Sequence, residues 1–188
     1  MLDLATPSIL GPLFGLSELG LLLAKRAGRG AKAADSGSLG MIWGVILACI
    51  CLATLAQIFV PQANSALLLQ ARTAGGVLFL LGLALRWYSI FYLGRFFTVN
   101  VAIAADHRVV DTGPYRFIRH PSYTGSMLQF IGFAITYGNW LSLAILVPPT
   151  LAAFMRRITI EERALSAALG ERYLAYMART KRLIPGLY

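Results

Sequence analysis

Apolar residues run along this chain in five long blocks, separated by short polar segments. The first block covers roughly residues 6–24 and is interrupted by Glu18. The second, about 39–60, carries no charge, and the third runs from about 66 to 93 with Arg72 near its start and Arg86 near its end. The fourth and fifth, about 122–138 and 140–156, are separated by Gly138, Asn139 and Trp140. A helix needs about 20 apolar residues to cross the hydrocarbon of a bilayer, so the pattern predicts five transmembrane helices, the last two short. Three connecting residues force the last two into a tight antiparallel hairpin. Pro148 and Pro149 lie inside the fifth block and are expected to kink or locally unwind it. After it, 157–180 places Leu165, Leu169, Tyr173, Tyr176 and Met177 at helical spacing. That spacing predicts a separate amphipathic helix, broken near Gly170, on the membrane surface or against the loop before the fourth span.

Composition agrees with this picture. Of 188 residues, 57% are hydrophobic and 13% charged, an apolar share above that of soluble domains. The expected fold class is an all-α integral membrane protein forming a single domain over 1–188, with three spans in 1–93 and two spans plus the C-terminal helix in 94–188. The net charge of +9 is concentrated between spans one and two, between spans three and four, and after span five. The segments at about 1–5, 61–65 and 138–140 hold no Lys or Arg. By the positive-inside rule the N-terminus is expected outside, and the C-terminus with the basic loops in the cytoplasm. The charge pattern points to anionic headgroups, and no basic stripe with interleaved aromatics suggests nucleic acid. Arg86, beside Trp87, Tyr88 and Tyr92, reads as an interfacial arginine reaching for headgroups. Cys49 and Cys51, two residues apart, point to different sides of a helix and read as packing residues. The N-terminus lacks the basic region of a cleavable signal peptide.

Two stretches hold candidate chemistry. One is the loop 94–121, ending in "GPYRFIRHPSYTG" from residue 113. The other is "RRITIEE", 156–162, which puts Arg157 and Glu161 on one helix face. Alone, the second could be an ordinary (i, i+4) ion pair, and Pro121 behind His120 could be first-turn punctuation. His107 and His120 have no companions at metal-ligand spacing, so no metal is expected. "GRGAKA" at 28–33 follows no strand and is not a dinucleotide fingerprint.

Taken together, "HRVVDTGPYRFIRHPSYTG", a span, the Asn139 turn and "RITIEERALSAALGERYLAYMARTKRLIP" resemble the isoprenylcysteine carboxyl methyltransferase family, in its compact prokaryotic form. The resemblance covers about residues 94–188. It implies an integral membrane enzyme of a prokaryotic cytoplasmic membrane that binds S-adenosylmethionine, releases S-adenosylhomocysteine and methylates a carboxylate or thiol of a lipophilic or prenylated acceptor. It implies cofactor-binding roles for Asn100, His107, Arg108, Val109, Val110, Tyr115, His120, Pro121, Ser122, Tyr123 and Glu161, and a catalytic, acceptor-binding role for Arg157. Two rivals share parts of the pattern. One is an NADPH-dependent membrane reductase of the sterol-reductase type, which has the "GPY…RHP" and terminal "IPG" features. The other is a non-catalytic membrane module.

Overall fold

The computed structural model describes residues 6–24, 32–33, 37–97, 102–103 and 108–188. Seven helices account for most of them: α1 (Pro7–Ala24), α2 (Ser38–Phe59), α3 (Ala66–Gln70), α4 (Arg72–Leu93), α5 (Pro121–Thr136), α6 (Trp140–Leu169) and α7 (Glu171–Arg179). Two two-residue strands, β1 (Lys32–Ala33) and β2 (Ala102–Ile103), pair antiparallel. Three helices, α2, α4 and α6, are long and apolar enough to cross a membrane. The protein is an all-α integral membrane protein. Of the five expected spans, α1 and α5 are shorter. With 16 residues, α5 reaches about 24 Å.

The core of the bundle is the seam between α4 and α5. Gly75 and Gly82 on α4 face Gly132 and Gly125 on α5. A methyl group added to Gly82 would stand 2.5 Å from the Gly125 carbonyl oxygen, and one on Gly132 would stand 2.5 Å from the Gly75 carbonyl oxygen. These paired sevens bring two antiparallel backbones into direct contact, as small residues do between membrane helices. Phe79, Phe130, Phe133, Leu146 and Phe154 fill the space beside the seam.

One end of the bundle is closed by turns. The Ser65 amide donates to Gly138 O (3.0 Å). Asn139 Nδ2 donates to Val60 O (3.1 Å) and Asn64 Oδ1 (2.9 Å), and its own Oδ1 caps α6 by accepting from the Ser142 amide (3.0 Å). The hairpin between α5 and α6 is as tight as predicted, and it gathers two segments that lack Lys and Arg. At the other end the basic segments meet. The Arg119 and His120 amides donate to Lys181 O (2.7 Å) and Arg182 O (3.0 Å), and β1 joins the segment before α2 to the loop after α4.

Four expectations are corrected. The fifth span and the first half of the tail are one continuous 30-residue helix, α6. Loss of apolar character at Arg156 does not end a helix, because "RRITIEERALSAAL" is rich in strong helix formers. The break comes at Gly170, as expected, where φ is +56°. Of the kink or local unwinding expected at Pro148 and Pro149, the unwinding does not occur: α6 is continuous through both. Membrane helices tolerate proline where neighbouring protein groups and small local adjustments satisfy the freed carbonyls. The third apolar block is two helices, since Ala71 separates α3 from α4. Finally, Arg86 does not reach for headgroups. Its Nε and Nη2 bind Glu18 Oε1 and Oε2, both at 2.8 Å. Cys49 is buried and Cys51 exposed, on different sides of α2 as expected.

Candidate active site

The loop after α4 reaches the site through a 3-10 turn, Gly113–Arg116. Gly113 has φ +55°, and a Cβ there would lie 2.4 Å from the Tyr92 ring. No other residue type fits that approach without strain. Tyr92 also donates to Thr112 Oγ1 (2.9 Å). The turn buries Tyr115, whose hydroxyl donates to Ser89 O on α4 (3.2 Å). Tyr176 of α7 donates to Tyr115 O from the other side (2.7 Å). Burial, and after it the Glu161 carboxylate, push the Tyr115 and Tyr173 phenols well above the ordinary range. Both stay neutral hydrogen-bond donors.

Pro121 occupies the first position of α5, where its missing N–H costs nothing. The residues around it are therefore held at the mouth of the helix. Tyr123 donates its hydroxyl to Glu161 Oε2 on α6 (2.9 Å), and Arg157 lies beside the same hydroxyl. Arg157 is 3% exposed. The three side chains form one polar group between α5 and α6, rather than an isolated ion pair along a helix.

The next residue on α6, Glu162, points about 100° further round the helix and organises a second cluster. Its Oε1 accepts from Arg119 Nε (2.8 Å) and lies 3.2 Å from His120 Nε2; its Oε2 accepts from Arg182 Nε (3.0 Å). Arg119 also donates to Met177 O (3.1 Å) and to Thr180 O. A carboxylate only accepts, so His120 Nε2 carries the proton toward Glu162, and a neutral ring keeps Nδ1 as an acceptor. Glu162 thereby binds the start of α5 and the segment after α7 to α6.

These groups border one cavity. Its polar end is lined by Arg108, Val109, Val110, Tyr115, Arg119, His120, Tyr123, Arg157, Glu161, Tyr173 and Tyr176. Its apolar end lies between α1 and α2, among Phe14, Leu21, Ile42, Trp43 and Ile46, with Phe130 and Phe154 from α5 and α6. Glu18, Arg86, Ser122 and Ser126 line it as well. Arg86 Nη1 donates to Ser126 Oγ (2.6 Å) and Ser122 Oγ (3.3 Å).

Of the sequence-predicted residues, Arg108, Val109, Val110, Tyr115, His120, Ser122, Tyr123, Arg157 and Glu161 come together around this cavity. Pro121 is buried behind them at the start of α5 and is not in the wall. Asn100 and His107 lie outside the described residues. Sequence reasoning missed Glu162, Tyr173, Tyr176 and the Glu18–Arg86 pair. The signals were present: a second glutamate beside Glu161, and two opposite charges in apolar blocks, where ionisable residues mark sites.

Known proteins resemble this chain in sequence and in fold. A model of the phospholipid methyltransferase family matches residues 70–172. Protein-S-isoprenylcysteine O-methyltransferase B of Arabidopsis thaliana is 31% identical over 113 residues, 59% of this chain and 57% of that protein. The Schizosaccharomyces pombe protein-S-isoprenylcysteine O-methyltransferase is 33% identical over 107 residues, 56% of this chain and 45% of its own length. The chain thus spans about half the length of the curated relatives it matches. The solved structure of a eukaryotic intramembrane Ras methyltransferase, isoprenylcysteine carboxyl methyltransferase, superposes with a TM-score of 0.70 at 25% identity, over 96% of this chain and 65% of that one.

Proposed function

The chain belongs to the phospholipid methyltransferase family, and from that premise we propose that it is a membrane methyltransferase that uses S-adenosylmethionine to methylate a carboxylate or thiol on a lipophilic acceptor. The single observation that carries this reading is the two-ended cavity. Ionic and aromatic groups line one end and apolar side chains from α1 and α2 the other. A soluble cationic cofactor and a lipid-borne acceptor need those two environments side by side.

The residues present fit the cofactor's chemistry. Glu161 and His120 Nδ1 can accept from an ammonium or hydroxyl, Tyr115, Tyr173 and Tyr176 offer aromatic faces to an adenine or a sulfonium, and Arg108 can donate to a carboxylate. Val109 and Val110 would pack beside them, Pro121 and Ser122 would set the position of His120 and Tyr123, and Asn100 and His107 are assigned here by resemblance. When bound, the cofactor supplies an electrophilic methyl group on sulfur and leaves as S-adenosylhomocysteine. Arg157 holds the acceptor's anion. A carboxylate is already ionised at neutral pH and needs no base. A thiol would be ionised more readily beside the same guanidinium. Half-buried Tyr123 and buried Arg157 keep water from the acceptor and fix its approach.

Both halves of the chain supply cavity walls, which supports a single domain over 1–188. The clustering of the basic segments at the site's end supports a cytoplasmic site and C-terminus, with the N-terminus outside; the assignment to a prokaryotic cytoplasmic membrane rests on the family resemblance. The test is turnover by protein purified in detergent, with methyl-labelled cofactor, a prenylcysteine carboxylate and a lipophilic thiol as acceptors. Labelled product from either acceptor, with cofactor binding by calorimetry and no response to NADPH, is the expected result. Binding of NADPH without binding of S-adenosylmethionine would overturn the reading.

A further inference from the structure

Resting on the methyltransferase reading, we propose that Glu18 selects the acceptor: its carboxylate recognises a hydrogen-bond donor, such as an amide N–H, carried next to the group that is methylated. Glu18 is the one ionisable residue in α1, and it is 6% exposed. A buried ion pair gives a helix contact little that two apolar side chains could not give. Its position in a cavity wall is what gives the charge a use.

The geometry says what that use is. Arg86 binds both Glu18 oxygens, and its remaining terminal nitrogen is turned to Ser122 and Ser126. The guanidinium is thus committed to protein partners. Among the described residues the bonds to Glu18 come from Arg86, one to each oxygen. Each carboxylate oxygen can take a further donor. The pair offers a ligand hydrogen-bond acceptors and no net positive charge. A carboxylate acceptor therefore finds no anion site here and is left to Arg157.

Place along the cavity selects the part of the acceptor that Glu18 meets. Phe14 and Leu21, one turn to either side of Glu18 on α1, belong to the apolar end. Ser122, bound to Arg86, immediately precedes Tyr123, which meets Glu161. Glu18 thus has apolar lining on either side of it along α1 and, through Arg86 and Ser122, borders the polar lining as well. An acceptor with its tail beside Phe14 and its anion at Arg157 passes Glu18 with the atoms between them.

Two acceptors test this. One is an N-acylated S-farnesyl cysteine, with an amide N–H beside the carboxylate. The other is the S-farnesyl thioether of propionic acid, which keeps tail and carboxylate but lacks the amide. The readout is the ratio of their kcat/KM values in wild type, Glu18→Gln and the double variant Glu18→Leu with Arg86→Leu. The double variant leaves no orphaned guanidinium, and the cofactor dissociation constant in each variant reports an intact site. Wild type should favour the amide acceptor by about tenfold or more, the scale of one hydrogen bond to a charged group. The preference should fall to about threefold in Glu18→Gln, whose neutral oxygen still accepts, and below about twofold in the double variant. A ratio unchanged in both variants, or no preference in wild type, overturns the proposal, because a purely structural pair would not distinguish the two acceptors. Wild type that turns over neither acceptor overturns the underlying reading, and the inference falls with it.

Discussion

Tyr123 donates its hydroxyl to Glu161 across the gap between α5 and α6, over 2.9 Å. That bond couples α5, which His120 immediately precedes, to α6, which carries Arg157. Removing it by Tyr123→Phe leaves a carboxylate without its neutral donor while the aromatic ring still packs on Phe154. Cofactor affinity should fall about tenfold, the scale of one charge-assisted hydrogen bond. Glu161→Ala and His120→Ala should each lose at least as much. Calorimetry in detergent checks all three, and wild-type affinity throughout would remove the cofactor from this end of the cavity.

Glu162 predicts a different phenotype from its neighbour. It binds Arg119 and Arg182, and Arg119 in turn reaches the carbonyls of Met177 and Thr180. Glu162→Ala leaves the nearly buried Arg119 side chain without its counter-ion. Breaking such a pair costs about 3–5 kcal/mol. Thermal unfolding should therefore start several degrees lower than in wild type, with Glu162→Gln in between. Glu161→Ala should shift the midpoint much less. Equal midpoints for the two alanine variants would mean that Glu162 does not hold the segment after α7 in place.

The α4–α5 seam can be tested by size alone. Gly125→Ala puts a methyl group 2.6 Å from the Arg86 amide nitrogen and the Gly82 carbonyl oxygen, both backbone atoms that cannot swing away. The helices must part, at a cost of about 1–3 kcal/mol. Gly44→Ala on α2 meets nothing within 4 Å and is the control. A thermal midpoint lowered in the first and not in the second is expected, and no difference between them would show that the seam is not close-packed.

Orientation has its own test. The turn around Asn64 joins the turn at Asn139, while the basic segments meet at the opposite end. A reporter fused after Tyr188 should be active in its cytoplasmic form, and one inserted near Gln62 in its outside form. The reverse pattern would place the site on the other face.

Much of this was readable in the sequence because it is local. The α5–α6 hairpin follows from three residues, and Tyr123, His120, Arg157 and Glu161 sit in two short motifs. The long apolar blocks mark where the helices run. What stayed hidden depends on distance along the chain or on angle around a helix. Arg86 passes for an interfacial arginine until Glu18, 68 positions away, is folded against it. Glu162 looks like a duplicate of Glu161, but one step on a helix sends it to another neighbour. Hydropathy marks where α6 leaves the apolar layer and says nothing about where its hydrogen bonding stops; Gly170 sets that. The glycines of the seam read as scattered small residues until α4 and α5 are aligned antiparallel.

Arg157 separates cofactor binding from acceptor handling. It lies one turn before Glu161 on α6, is buried, and lines the cavity beside Tyr123. If it holds the acceptor's anion, Arg157→Ala should leave cofactor affinity within about threefold of wild type and lower kcat/KM by about a hundredfold, since a lost charge-assisted contact of 2–3 kcal/mol has that scale. Arg157→Lys should recover only part, because an ammonium keeps the charge and loses the planar two-point grip. If Arg157 merely balances the charge of Glu161, the alanine variant should weaken the cofactor as much as Glu161→Ala does, and lysine should serve nearly as well. Calorimetry beside a turnover assay on wild type, Arg157→Ala and Arg157→Lys distinguishes the two. Parallel loss of binding and turnover in the alanine variant, with full rescue by lysine, would assign Arg157 to the cofactor and leave the acceptor's anion without a holder.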